Sequence, residues 1–211
     1  MKCRAVLTMV LGLGGALATT GAVVAEVALT KGSAGQACMS ADLGIVPGHI
    51  TMDNGQELAL LGQSAKVVVR KVKSPKAEPF EIRSKFGLYP LEWSTSTGMT
   101  VWDWETDLPA LDVIEASGQT FLAQGISTAP GKDPVSVAME ITIGDRETIK
   151  FKGCSYEIMQ VTILHSRDGK PTHEALISYH PDLWISFRTE TRPVDGSAPK
   201  VVMPVDIVTI R

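Results

Sequence analysis

The stretch richest in chemistry is Trp102-Asp103-Trp104-Glu105-Thr106-Asp107. Extended, it sends Trp102 and Trp104 to one face and Asp103, Glu105 and Asp107 to the other, because successive strand side chains alternate. Paired indoles stack on a sugar or line an apolar pocket, and three neighbouring carboxylates bind Ca²⁺ or do acid–base work. The simpler reading is two core tryptophans backed by three solvated acids. As ligand contacts the candidates are Trp102, Trp104 and, further along, Trp184. No residue is assigned a catalytic role.

Three of the four histidines, His165, His173 and His180, sit in or beside a hairpin signalled by Asp168-Gly169, which invites a metal reading. A plain two-residue turn pairs Arg167 with Lys170 and therefore His165 with Thr172. His165 and His173 then face opposite sides of the ribbon, and no metal site is expected. A bulge forced by Pro171 would bring them back together. His173-Glu174-Ala175-Leu176-Ile177 begins like a zinc-protease helix, but Ile177 stands where the second ligand histidine is needed. Ser197-Ala198-Pro199-Lys200 has penicillin-binding serine spacing, yet Pro199 breaks the helix that would set Lys200 beside Ser197. No nucleophile elbow and no phosphate-cradling glycine loop is present, and no cofactor is implied.

The first residues read as an export signal. Lys2 and Arg4 form a positive start, Val6 to Ala18 is apolar, and Val23 and Ala25 suit a signal peptidase. Cleavage after Ala25 leaves 186 residues with 18 basic and 23 acidic side chains, a net charge of −5. A mildly acidic surface argues against nucleic acid as partner, and no stable membrane insertion is expected once the signal is gone. The compartment expected is the periplasm or the exterior, with a lipid-like small molecule or an envelope protein as partner. Arg70-Lys71-Val72-Lys73, the most basic run, reads as a solvated strand end. Only Cys38 and Cys154 remain after cleavage, and in an oxidising compartment two such cysteines pair.

The scaffold that must position these groups is read as all-β, mainly antiparallel: a curved sheet or half-barrel, or a sandwich, with at most one short helix. Residues 26–56 look like an irregular N-terminal leader with a tight turn at Asp53-Asn54-Gly55, and 57–211 like a single domain. Strand-like runs occupy Ala65–Val72, Phe80–Phe86, Met99–Glu105 and Gln119–Ile126. From Val135 to Ile143 apolar and polar residues alternate, Gly144-Asp145-Arg146 reads as a turn, and Thr148–Lys152 as its return. Ser155–His165 and Thr172–Tyr179 flank the hairpin. Leu183, Ile185 and Phe187 face one way, and Met203, Val205 and Ile207 share a side of a closing edge strand marked by Pro204. A helix is expected over Leu108–Ser117, capped by Asp107 and stopped by Gly118.

Gly153-Cys154-x-Tyr156 ahead of a strand, and Tyr179-His180-Pro181-Asp182-Leu183 leading into another, lie within Gly153–Arg192. This segment resembles uncharacterised secreted or periplasmic β-rich proteobacterial proteins. The resemblance implies a sheet curved into a half-barrel like those of lipoprotein and lipid-carrier folds, and brings no catalytic residues with it. The function expected is that of an exported, non-catalytic envelope protein binding an apolar ligand or another envelope protein. The alternative is a periplasmic hydrolase or carbohydrate-processing enzyme using Asp103 and Glu105.

Overall fold

The computed structural model describes residues 38–64, 66–111 and 117–211. The export signal lies outside these residues, and so does the centre of the expected helix, residues 112–116. The described residues contain no α-helix. Thirteen strands form one sheet: β1 (Val46–Met52), β2 (Glu57–Ser64), β3 (Val67–Ser74), β4 (Ala77–Lys85), β5 (Tyr89–Thr95), β6 (Gly98–Trp104), β7 (Thr120–Thr128), β8 (Val135–Phe151), β9 (Cys154–Arg167), β10 (Lys170–His180), β11 (Ile185–Pro193), β12 (Lys200–Val202) and β13 (Pro204–Ile210). The stretch read as an irregular leader thus supplies a strand, β1. Pro47 and Gly48 obscure its pattern, but Ile50 is buried.

Each strand from β1 to β12 pairs antiparallel with its sequence neighbour, and β13 returns to pair with β1. The two edge strands of the sheet, β12 and β13, are therefore consecutive in the chain, separated only by Met203. The sheet must curl until its edges meet at that residue, giving a nearly closed, barrel-like form with little free edge. The expected row of Met203, Val205 and Ile207 is broken here. A register shift between the Thr51–Asp206 and Met52–Pro204 pairs leaves Met203 and Val205 exposed while Pro204 and Ile207 are buried.

Hairpin turns follow the chemistry of their residues. Asp168 and Gly169 have φ of 48° and 71°, and Lys152 and Gly153 have 48° and 83°. Positive φ at both central residues is what a two-residue hairpin needs to match strand twist. Gly144-Asp145-Arg146, expected to turn the chain, instead forms a bulge within the 17-residue β8. A Cβ on Gly144 would lie 3.0 Å from the Gln160 side chain, so glycine lets β8 approach β9 closely and bend without reversing.

Two apolar clusters fill the structure. One gathers Met139, Ile141, Ile143, Met159, Val161 and Ile163 with Tyr89, Leu111 and Tyr179; the other gathers Met39, Tyr156, Ile158, Ile185, Phe187 and Ile207. Consecutive residues on β9 serve both: Ile158 is 1% exposed and Met159 0%. Because strand neighbours point to opposite faces, both faces of β9 are covered at that point. The Cys38–Cys154 disulfide joins the residue before Met39 to the start of β9. Beside it the Met39 N–H donates to the Tyr156 hydroxyl at 3.2 Å.

Candidate functional site

Alternation on β6 does place Trp102 and Trp104 together, half-buried, with Asp103 and Glu105 exposed on the other face. The indoles then diverge in use. The Trp104 N–H donates to the Pro90 carbonyl at 2.7 Å, and its ring packs on the first cluster. Trp184 packs on the same cluster from the connection between β10 and β11, edge-on to Phe86 at 5.8 Å. Among the described residues Trp102 is the expected contact whose indole has neither a ring partner nor a hydrogen bond.

Trp184 belongs to a junction that sequence reading missed. The turn after β4 and the turn after β10, far apart in the chain, are tied together. The Tyr179 hydroxyl donates to the Phe86 carbonyl at 2.6 Å. Gly87, at φ +67°, sits so close that a Cβ would lie 2.2 Å from the Trp184 carbonyl oxygen. That same oxygen accepts from two guanidinium nitrogens of Arg70, each at 3.4 Å. Arg70 is therefore not a solvated strand end. It alternates with Val68 and Val72 on the buried face of β3, and burial brings its pKa down to about 10, so it stays charged at neutral pH. The alternation Val68, Arg70, Val72 was the available signal, masked by the basic neighbours Lys71 and Lys73.

An open surface groove of about 350 Å³ lies across β7, the start of β8 and the ends of β6 and β9, lined by Glu105, Gln124, Ile126, Ser136, Ala138 and Ser166 among others. Ile126 is 40% exposed and Leu122, on the same face of β7, 48%. Gly125 makes the local geometry: a Cβ there would come within 2.3 Å of the Asp103 carbonyl oxygen. Glu105 enters the groove and Asp103 is not among its lining residues, so the two carboxylates do not meet there as a pair.

The histidines differ most from expectation. A register shift between Pro171 and His173 inserts Thr172 as the extra residue, and His173 then stands opposite His165. Their rings stack at 4.2 Å, 13° from parallel. Burial, with the neighbouring His173 second, pushes His165 down to about 4, and burial also lowers His173. His180 is separate, edge-on to Tyr156 and accepting at Nδ1 from the Leu183 N–H at 3.4 Å. The remaining histidine, His49, lies 4.0 Å from Glu57. Among the described residues no group of three or more His, Cys, Asp or Glu is placed to hold a metal.

The carboxylates of β10 and β11 are matched by cations. Glu190 lies between Arg188 and Arg192, and hydrogen bonds from Arg192 and then Arg188 hold its carboxyl below the usual range; Glu174 lies 3.5 Å from Arg192. With the nearly buried Glu190 answered by two part-exposed arginines, this cluster reads as a structural ion-pair network.

No protein-family model matches the chain, and neither does any curated protein. Among solved structures it is similar to the hypothetical lipoprotein YmcC from Escherichia coli K12, with a TM-score of 0.46 and 8% sequence identity. The alignment covers 75% of this chain and 82% of that one.

Proposed function

We propose that this is an exported, non-catalytic envelope protein that works by holding another envelope protein against its outer surface. The observation that carries the reading is the Cys38–Cys154 bridge, since structural disulfides persist in oxidising compartments outside the cytoplasm. Packing supports a partner on the outside: Tyr89, Tyr179, Met159 and Ile141, all essentially unexposed, occupy space that an enclosed lipid would need. The groove beside Ile126, with Leu122 exposed on the same face, offers apolar contact rimmed by the polar groups of Glu105, Gln124 and Ser166. Trp102 faces the other side of β6 from this groove and is the indole proposed to meet a small ligand there.

Native mass spectrometry with lipid extraction, on protein taken from the envelope, is expected to find no bound lipid. A photo-cross-linker at Ile126 is expected to give a discrete protein adduct that the same group at exposed Leu43 does not. A stoichiometric co-purified lipid, or equal cross-linking at both positions, would overturn the reading. The hydrolase alternative depends on Glu105 in the groove, and a hydrolytic activity abolished by Glu105→Gln would establish it instead.

A further inference from the structure

We propose that Met139, His165 and His173 form a binding site for a soft monovalent metal ion, copper(I). The three residues occupy one line across three adjacent strands: Met139 on β8 opposes His165 on β9, which opposes His173 on β10. Directly opposed residues of an antiparallel ladder share a face and hold their Cβ atoms about 5 Å apart. The line exists only because of the bulge after Pro171; without it Thr172 would oppose His165 and the imidazoles would part.

The donors run from the interior outward. Met139 is 2% exposed, and both histidines are partly exposed, so an ion could enter from the surface and rest against a dry thioether. Thioether and imidazole suit copper(I), while the hard cations want oxygen donors, which this line lacks.

A further partner aims one donor. The Thr172 hydroxyl donates its single proton to the His165 carbonyl at 3.1 Å. At its other contact, 3.1 Å from His173 Nδ1, it can therefore only accept, which puts the His173 proton on Nδ1 and leaves Nε2 as the ligating nitrogen. The rings lie in nearly parallel planes, so their in-plane lone pairs do not converge; with His173 Nδ1 held by Thr172, the His165 ring is the one that turns about its Cβ–Cγ bond on binding. That torsion is broad for histidine.

The experiment is anaerobic competition of the disulfide-bonded protein with a chromophoric copper(I) chelator, followed by X-ray absorption of the copper-loaded protein. One equivalent of copper per chain is expected, with both nitrogen and sulfur scatterers. His173→Phe and Met139→Leu preserve aromatic and apolar volume; each is expected to keep the wild-type thermal transition within a few degrees. His173→Phe is expected to weaken binding by at least about a hundredfold, and Thr172→Val by about tenfold to a hundredfold, as loss of an outer partner does. Met139→Leu is expected to remove the sulfur scatterer. Failure of the wild type to withdraw copper would overturn the proposal. So would wild-type affinity in His173→Phe, a nitrogen-only spectrum, or tighter binding of zinc than of copper(I). If His173→Phe does not fold, Met139→Leu and the wild-type spectrum still decide the matter.

Discussion

Asp53 holds Met203 from both sides of its residue: the Asp53 N–H donates to the Met203 carbonyl at 2.9 Å, and the Met203 N–H donates to the Asp53 carboxylate at 3.1 Å. Met203 is the single residue between the two edge strands, so the β1–β2 turn clasps the seam where the sheet closes. Asp53→Ala removes the carboxylate acceptor and leaves the backbone bond. The expected cost is about 1 kcal/mol in urea unfolding. Hydrogen exchange should rise at Met203 and its neighbours before it rises in β9. Unchanged exchange at the seam would contradict this role.

Tyr179→Phe removes the hydroxyl that reaches the Phe86 carbonyl and leaves a buried acceptor unanswered. A loss of about 1–3 kcal/mol is expected, read as a lower urea midpoint at constant slope. A variant within a few tenths of a kcal/mol of wild type would show that the two turns are not held by this bond.

Gly87→Ala tests the same junction through sterics. The residue has φ +67° and its new methyl would meet the Trp184 carbonyl oxygen at 2.2 Å. Both the left-handed backbone and the clash act against alanine, and a cost above about 2 kcal/mol is expected. Gly153→Ala is the control: it has φ +83° but nothing within 4 Å of its Cβ, so it should cost only about 1 kcal/mol. Equal losses at the two sites would remove the steric argument.

Burial pushes the Tyr89 phenol up, while its hydroxyl donates to the Pro109 carbonyl at 3.1 Å. A folded-state pKa above the unfolded value means the unfolded chain loses its proton first as pH rises. The stabilisation is therefore complete below about pH 10 and declines above it. Stability measured from pH 8 to 11 should fall more steeply in wild type than in Tyr89→Phe. Parallel profiles would refute the assignment.

Much of the fold was legible because period-two alternation is a local signal. Met139, Ile141 and Ile143 on β8, and Ile185 and Phe187 on β11, are buried as their spacing demands. Asp168-Gly169 announced its own turn, and the two cysteines announced their bridge. What escaped were single-residue irregularities. Gly144 looks the same in sequence whether it turns a chain or bulges a strand, and the difference lies in how closely Gln160 approaches. One extra residue after Pro171 inverted the relation of His165 to His173. At the candidate site, alternation correctly put Trp102 and Trp104 on one face. The acceptor that occupies Trp104, the Pro90 carbonyl, and the carbonyl that draws Arg70 inward come from other strands and turns, which no local pattern encodes.

The proposed function requires that the chain be exported and then locked through Cys38 and Cys154. Intact-mass spectrometry of protein from the cell envelope, alkylated under denaturing but non-reducing conditions, tests this most directly. The predicted result is a chain beginning at Glu26, two hydrogens lighter than its reduced form and carrying no alkyl group. A chain that retains Met1 and takes up alkyl groups at Cys38 and Cys154 would contradict it.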